Sequence, residues 1–468
     1  MSPERFDTRV AGAGDVSADL RTSAVERRCT ADILADVAFS GIAASFLFFV
    51  FFPYIQLVPL QTDTQPYALL LAGILTLGAR RWALPAEYVP LLIAFLFSIG
   101  VAFVAPVNMM TFRAIANYAS ILLIPWATVL VLRMRNGFPP GALRLVIAAW
   151  FAVGLVQTFV YPDFLAFLMP RALGTAGSGG RGVVGLSPEP THYGMICMFF
   201  LVLCYMARDR VLTRREFNVL AAALIVQIVV FAKSAMAALF LLIGIATYIA
   251  VNLLSLKRLV YAFAVVAAGA LSLLALIRAG IITVEGTRMF TLLGRLIEDP
   301  QLVLLVDASV NDRFFNIFFS VLGFLENYLL PNGYTTWPEY LDRTVSRFEP
   351  YAWWVTSTRI MSGYGAGLFE IGFVGLLIPL AVNVGLFRFY RYDLRSFVTV
   401  AFLLNLMLMA AIPIATPMIG LILGFAAYYS RFQAEVREAG AGPDHTPGGR
   451  AQSRGSSGGL GSGRYADA

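Results

Sequence analysis

The chain has 468 residues, of which 59% are hydrophobic and only 13% charged, and its mean hydropathy is +0.74. This composition excludes a soluble globular protein and predicts an all-α, polytopic membrane protein. The formal net charge of +7 comes from 35 basic residues, of which only Lys233 and Lys257 are lysines. Because no Lys-rich tract is present, nucleic acid is not an expected partner.

Apolar segments long enough to cross a hydrocarbon core of about 30 Å recur along the chain. They lie at 34–58, 66–79, 87–106, 114–132, 142–161, 189–207, 217–232, 235–254, 259–277, 365–387, 396–411 and 413–430. We expect about twelve transmembrane helices, with one large extracytoplasmic loop between helices 9 and 10.

Basic residues predict the orientation of these helices, because Lys and Arg accumulate in short cytoplasmic loops. One set of alternate loops contains fourteen basic residues: Arg80, Arg81, Arg133, Arg135, Arg144, Arg208, Arg210, Arg214, Arg215, Lys257, Arg258, Arg388, Arg391 and Arg395. The opposite short loops contain four, namely Arg113, Arg171, Arg181 and Lys233. Both termini are therefore expected in the cytoplasm.

The predicted organisation has five parts. Residues 1–32 form a polar cytoplasmic arm, in which no cleavable signal peptide is expected. Helices 1–9 occupy 33–277, the large periplasmic loop 278–364, and helices 10–12 occupy 365–430. Residues 431–468 form a cytoplasmic tail, whose Gly- and Ser-rich end predicts disorder. Within the large loop, 287–297 and 314–330 are apolar enough to form short helices on the membrane surface or capping the bundle.

The stretch RGVVGLSPEPTHYG at 181–194 leads from a charged loop directly into an apolar span. Ionisable side chains at a membrane edge are costly, so Arg181, Glu189 and His192 are candidate functional residues. Glu189 and His192 are three residues apart at the start of a helix and share one face. The alternative is that they are interfacial charges and a helix-end histidine.

Four further cations face the same predicted compartment. Lys233 lies at the tip of a hairpin, and Arg313, Arg347 and Arg359 lie in the large loop. A planar guanidinium binds phosphate in a bidentate manner, so these side chains are candidates for an anionic ligand. Alternatively, Lys233 snorkels to the surface, and the arginines pair with acids of their own loop: Asp307, Asp312, Glu326, Asp342 and Glu349.

Neither a metal nor another cofactor is expected. Cys197 and Cys204 lie seven residues apart within one span, as small packing residues do, and Cys29 lies in the N-terminal arm. Of the two histidines, His445 lies in the tail, so no His/Cys cluster with metal-ligand spacing is present.

Between about 181 and 390 the chain resembles the bacterial O-antigen polymerases and the related O-antigen ligases, integral membrane glycosyltransferases that act on undecaprenyl-pyrophosphate-linked sugars. The similarity rests on four local matches and on the topology of many helices with one large, late outer loop. The matches are Arg181-Gly182 with Pro190, Lys233-Ser234 at a tight hairpin, Arg313 after Ser309, and the Glu-x-Gly-x-x-Gly pattern in SGYGAGLFEIGFVGLL at 362–377.

The resemblance implies an enzyme of the bacterial inner membrane that polymerises lipid-linked oligosaccharide repeats, with membrane lipid, a flippase and a chain-length regulator as partners. Ligases carry a histidine near the end of the large loop, where this chain has Met361, so a polymerase is favoured over a ligase. A secondary transporter or lipid flippase would also have about twelve helices. Against it, no internal repeat is seen and the ionisable residues gather near one membrane face, whereas transporter sites usually lie near the midplane. A non-catalytic scaffold is a further alternative.

The chemistry of such an enzyme assigns roles to the candidate residues. A sugar hydroxyl must attack an anomeric carbon and expel undecaprenyl pyrophosphate, which needs cations for the leaving group and a base for the nucleophile. Arg181, Arg313 and Lys233 suit the first role without a metal, and Glu189 and His192 are candidates for the second. Glu189 is favoured as the base because Pro190 would place it at the mouth of the helix.

Overall fold

The computed structural model describes residues 38–58, 64–79, 84–106, 108–169, 182–252, 307–356, 358–410 and 412–440, together with residues 62, 268 and 305. Over these ranges the chain forms helices and loops and no named strand, which confirms the all-α prediction. Arg181, most of the predicted span at 259–277, and the predicted short helix at 287–297 lie outside the described residues.

The helices run as follows in chain order. They are α1 (Ala38–Phe51), α2 (Tyr67–Gly78), α3 (Val89–Val104), α4 (Met109–Met134), α5 (Pro140–Phe159), α6 (Pro190–Ala207), α7 (Arg214–Val226), α8 (Ala235–Asn252), α9 (Ala308–Glu326), α10 (Trp337–Thr344), α11 (Gly363–Ile371), α12 (Leu377–Phe389), α13 (Leu394–Ala410) and α14 (Pro417–Gly440).

Seven helical segments within the described ranges are long and apolar enough to cross a membrane, and three shorter apolar helices accompany them. This agrees with a polytopic membrane protein. The predicted span at 34–58 is wrong at its end, because the helix stops at Phe51 and Pro53 follows two residues later. Proline has no backbone N–H and cannot continue a helical hydrogen-bond ladder.

Local sequence signals set several helix starts. Pro140 and Pro190 occupy the first helical position of α5 and α6, where a missing N–H costs nothing. The Thr213 hydroxyl accepts a hydrogen bond from the Glu216 N–H, and the Glu216 carboxylate accepts one from the Thr213 N–H. This reciprocal cap satisfies two backbone donors that the start of α7 leaves without helical partners.

A buried carboxylate ties three helices together at one end of the bundle. The Glu87 side chain is 2% exposed, and its Oε2 lies 2.9 Å from Arg388 Nη1 and 3.3 Å from Arg431 Nη2. Glu87 precedes α3, whereas Arg388 ends α12 and Arg431 lies in α14. Two cations on one carboxylate compensate the cost of burying its charge.

Further contacts bring other basic loops to this end. Arg144 at the start of α5 lies 2.6 Å from Glu216 at the start of α7. Arg210, between α6 and α7, stacks 4.0 Å above the Phe389 ring at the end of α12. The described basic residues near the starts of α5 and α7 and the end of α12, which the sequence assigns to the cytoplasmic face, therefore lie together, and Glu189 lies at the opposite end of α6.

The segment Gly363–Phe389, predicted as one helix over 365–387, is interrupted. Gly372 has φ +64° and a short 3₁₀ turn follows it before α12 begins. Loop 329–332 fills the interruption through backbone hydrogen bonds: Phe373 N–H to the Leu329 carbonyl and Asn332 N–H to the Phe369 carbonyl. The glycines of the Glu-x-Gly-x-x-Gly pattern thus break a span and admit a loop.

The outer segment, residues 307–362, has an apolar cluster of its own. Helices α9 and α10 and the chain after them bury the side chains of this cluster: Phe315, Phe319, Trp337, Leu341, Ala352, Ile360 and Phe369. Helix formation predicted for 314–330 is confirmed for 314–326. The helix starts earlier because the Asp307 carboxylate accepts hydrogen bonds from the Ser309 and Val310 N–H groups.

Replacing Gly372 by Ala should lower the stability of the protein. At φ +64° a Cβ is strained, and it would lie 2.7 Å from the Leu329 carbonyl oxygen. Strain of this kind costs about 1–3 kcal/mol, so thermal unfolding in detergent should shift to lower temperature. Gly385→Ala is the matched control, since no atom lies within 4 Å of its Cβ position. Equal unfolding temperatures for the two variants would contradict the interrupted span.

Candidate functional site

The start of α6 places a carboxylate beside an imidazole. Glu189 is extended, with φ −156° and ψ 159°, and precedes Pro190, the first residue of the helix. One turn later, His192 Nδ1 lies 3.0 Å from Glu189 Oε1, and the two side chains are 18% and 34% exposed. The sequence predicts that these two residues share one helical face, and in the structure their side chains are in direct contact.

An aromatic side chain from the turn after α1 packs against the imidazole. The Tyr54 ring packs edge-on against the His192 ring, with the centroids 5.5 Å apart, and Tyr54 is 3% exposed. The Nδ1–Oε1 contact is short, but Nδ1 makes no hydrogen bond in this structure. A small rotation of either side chain would align the two groups, so the pair is close to proton-sharing geometry.

The segment before α6 is clamped by a buried amide. Gln157 of α5 accepts a hydrogen bond from the Gly185 N–H at 2.7 Å and donates one to the Gly185 carbonyl at 3.0 Å. Gly185 has φ +59° and lies directly over the Tyr193 ring, where a Cβ would be 3.0 Å from the ring. The loop can lie this close to α6 only because residue 185 has no side chain.

Gly182 joins this segment to the Lys233 hairpin. The Val183 N–H donates to the Phe231 carbonyl at 2.9 Å. A Cβ on Gly182 would be 2.2 Å from that carbonyl oxygen and 2.3 Å from the Ala232 carbonyl oxygen. The backbone of Gly182 therefore packs against the backbone of the hairpin. Gly182 directly follows Arg181 in the sequence, and Ala232 directly precedes Lys233.

Lys233 occupies a tight left-handed turn. Its φ and ψ are 44° and 39°, and it separates a π-helical end of α7, Gln227–Ala232, from α8. The Ser234 hydroxyl accepts from the Ala237 N–H, and a Cβ on Gly194 of α6 would lie 2.7 Å from Ser234 Cβ. Left-handed conformations are rare for non-glycine residues and persist where the surroundings hold them. The turn thus packs against Gly194 of α6, two residues after His192 in sequence.

The π-helical segment has an identifiable cause. Gln227 is fully buried, and its Oε1 accepts a hydrogen bond from the Tyr193 hydroxyl at 3.0 Å. Its Nε2 donates to the Ala223 carbonyl, four residues earlier in α7. A polar group inside an apolar bundle needs such partners, and the bulge that follows in α7 shapes the turn at Lys233. Single π-turns of this kind occur often at functional sites.

The three loop arginines lie in the outer segment. Arg313 of α9 is 8% exposed, whereas Arg347 and Arg359 are exposed. Arg347 Nη2 lies 3.2 Å from Glu326 Oε1 and 3.2 Å from the Thr344 hydroxyl. For Arg347, then, the structure shows the pairing with an acid of its own loop that the sequence left open.

Next to Arg313, Asp312 and Asn316 hold the chain that follows α10. Asp312 Oδ1 and Oδ2 accept from the Thr356 N–H and hydroxyl at 2.6 and 2.8 Å. Asn316 Oδ1 accepts from the Met361 N–H at 3.1 Å. Met361 is thereby fixed against α9.

Sequence reasoning did not assign Gln157, Tyr54 or Asp312 to this arrangement. The Gln157 amide holds the loop before α6. An amide in the middle of an apolar span was the available signal, but its partner lies 28 residues away. Asn383 of α12 and Asn405 of α13 join their helices, since each amide donates to the other.

No family model matches the chain, and no curated protein matches it. The part of the chain described by the structure also holds no group of three or more His, Cys, Asp or Glu side chains placed to bind a metal ion. Its function therefore has to be argued from the geometry around α6.

Gly182→Ala should open the contact between the 182–189 segment and the Lys233 turn, because its Cβ would overlap two backbone carbonyls. We expect faster proteolytic cleavage within 170–189 and lower thermal stability of the detergent-purified protein. Gly141→Ala, at a position with open space around its Cβ, should behave like the unmodified protein. Unchanged cleavage kinetics in Gly182→Ala would mean that this packing does not hold the segment.

Proposed function

We propose that this protein is an integral membrane glycosyltransferase that polymerises undecaprenyl-pyrophosphate-linked oligosaccharide repeats into a surface polysaccharide. The observation that carries the proposal is the convergence around α6. The Glu189–His192 pair, the segment continuing from Arg181, and the Lys233 turn lie together at one end of the bundle. An acid–base pair beside cations is what displacement of a pyrophosphate requires.

The proposed membrane arrangement is that of the bacterial cytoplasmic membrane. About twelve helices span it, with 259–277 supplying one of them and 278–364 forming the large loop on the outer face. The basic end of the bundle, with Arg144 and Arg388, then lies in the cytoplasm. The site around α6 lies at the outer face, where a flippase delivers the lipid-linked repeats.

In the proposed reaction, Lys233 and Arg181 bind the pyrophosphate. The bond between the anomeric carbon of the donor and a pyrophosphate oxygen breaks, and the leaving group departs with the electron pair. The cations stabilise the negative charge that develops there. The start of α6 adds a favourable dipole for the same charge, and its first residue, Pro190, needs no partner for a backbone N–H.

Glu189 is proposed as the base. As the acceptor hydroxyl oxygen bonds to the anomeric carbon, its proton passes to the Glu189 carboxylate. Glu189 is the more exposed member of the pair, 34% against 18% for His192, and it stands before the helix, not within it. His192, at 3.0 Å, receives the proton or stabilises the carboxylate.

The outer segment contributes secondary contacts in this proposal. In this proposal Arg359, which is exposed, binds the oligosaccharide-pyrophosphate as it approaches from the membrane surface, and Arg313, 8% exposed, binds it after its side chain turns outward. Arg347 is engaged by Glu326 and has to exchange this partner before it can contact a phosphate. A chain-length regulator would act on the same outer face.

The orientation can be tested by cysteine labelling in intact cells. Arg343 is exposed on α10 of the outer segment, and Arg135 is exposed at the end of α4. A cysteine at 343 should react with a membrane-impermeant maleimide, and a cysteine at 135 should react only after permeabilisation. The reverse pattern would invert the topology and remove the site from the outer face.

The activity can be tested by incubating the purified protein with a lipid-linked repeat and separating the products by length. Lys233→Ala should reduce polymer formation by about two to three orders of magnitude, equivalent to about 2.7–4 kcal/mol of lost transition-state stabilisation. Glu189→Gln should lose more activity than His192→Ala. Arg343→Ala removes an exposed cation of the outer segment and should leave polymer length unchanged.

The product pattern separates the alternatives. Extension of chains on undecaprenyl pyrophosphate supports a polymerase, whereas transfer of finished chains to a different acceptor would indicate a ligase. Movement of the lipid across a bilayer without a new glycosidic bond would indicate a flippase. If Lys233→Ala and Glu189→Gln both retain full activity, the site around α6 is not catalytic.

A further inference from the structure

Helix α9 has an unusual outward face. Phe314, Phe318 and Leu325 are 47%, 37% and 56% exposed, and Ile317 and Val321 between them are partly exposed. These spacings of three, four and seven residues define one helical stripe. From 314 to 325 the helix contains no charged residue, so the stripe has no polar side chain that favours water.

The inward face of the same helix is mixed, because Phe315, Phe319 and Phe324 are buried together with polar residues. Asn311, Asp312, Arg313, Asn316 and Ser320 are buried, and several of them bind the chain that follows α10. A helix on a water-facing domain exposes polar and charged residues on its outward face, and the outward face of α9 from 314 to 325 has none. The exposed stripe of α9 therefore faces a medium that is itself apolar.

The stripe is continuous with the outward surface of a membrane-spanning segment. In Gly363–Phe389, Phe373, Leu376 and Leu380 are 53%, 51% and 50% exposed and lie at lipid-facing spacing. The Phe373 N–H donates to the Leu329 carbonyl at 2.9 Å, and Leu329 is itself 43% exposed. Exposed apolar surface thus runs from the span, across loop 328–330, onto α9.

Aromatic residues stand at both ends of α9. Tyr351 and Trp354 are more than half exposed and lie beside the start of the helix, where Asn311 bonds to the backbone of both. Tyr328, 87% exposed, follows its end. Tyrosine and tryptophan concentrate at the boundary between lipid and water, so both ends of the helix lie at one depth.

Helix α10, in the same outer segment, shows the contrasting pattern. Its buried residues include Trp337 and Leu341, whereas Glu339, Asp342 and Arg343 are exposed. Helix α9 therefore exposes an uncharged apolar face, whereas helix α10 exposes a charged face.

We propose that α9 lies in the plane of the membrane, with its Phe314–Leu325 stripe inserted at the boundary between headgroups and acyl chains. An amphipathic helix with an aromatic apolar face binds a bilayer in this way. Helix α10 stands on the water side and packs against α9 from above. The outer segment is then half embedded in lipid, and this assignment does not depend on the catalytic proposal.

The test uses nitroxide labels on the protein in a lipid nanodisc. Cysteines replace Phe318 and Leu325 on α9, and Asp342 and Arg343 on α10 serve as controls, in a background with Cys29→Ser. Cys197 and Cys204 are fully buried and should remain unlabelled. Molecular oxygen partitions into lipid and a polar nickel chelate into water, so the ratio of their collision rates reports the medium. This ratio should be severalfold higher at 318 and 325 than at 342 and 343.

Equal ratios at all four positions would overturn the proposal, because α9 would then face water. Low collision rates with both reagents at 318 and 325 would also overturn it, since a protein partner or a second copy of the chain would then cover the stripe. Gel filtration of each labelled variant establishes that the measured species is folded. A second readout uses lipids brominated near the headgroup, which should quench the fluorescence of a tryptophan placed at Phe318 more than that of one placed at Arg343.

Discussion

A backbone group inside an apolar bundle has to find its hydrogen-bond partner within the protein, because lipid offers none. Uninterrupted helices satisfy this requirement by themselves. Two helices here are interrupted, at Gly372 and before Lys233, and both interruptions are closed by backbone from an outer loop. Val183 bonds to the Phe231 carbonyl, and Asn332 bonds to the Phe369 carbonyl.

Both closures depend on residues that lack a side chain. Gly182 lies on the carbonyls of the Lys233 hairpin, and Gly372 lies on loop 329–331. The contact between Gly182 and the Lys233 hairpin holds the segment after Arg181 near the start of α6. The candidate site lies at this position. The in-plane placement proposed for α9 uses the second, which joins the outer segment to a span. The candidate site and the placement proposed for α9 thus depend on the same physical requirement.

Sequence alone predicted the features that follow from local composition. The span at 189–207 was placed within one residue of α6, because Pro190 marks the helix start and the apolar run is continuous. The break at Gly372 was missed, because hydropathy does not report φ, and the partner that fills the gap lies some forty residues earlier. The closeness of Tyr54 to His192 could not be predicted either, since the two residues lie 138 positions apart in the sequence. Glu189 and His192 were identified from the sequence, because an ionisable residue next to a membrane span is costly in any fold. Their distance and relative exposure required the structure.

Several of the tightest contacts join the first part of the chain to the last. The Tyr88 hydroxyl donates to the Leu423 carbonyl, 335 residues later, and the Tyr334 hydroxyl from the outer segment donates to the Ser98 carbonyl within α3, 236 residues earlier. Helix α4 packs along α14, where Gly420 and Gly424 lie against Ile124 and Thr128.

The ribosome makes these partners far apart in time, so the early helices enter the bilayer long before their final neighbours exist. The contacts of α4 and Tyr88 with α14 therefore form only after residue 417 has been made, and a chain truncated before residue 417 would leave these early segments without their native packing.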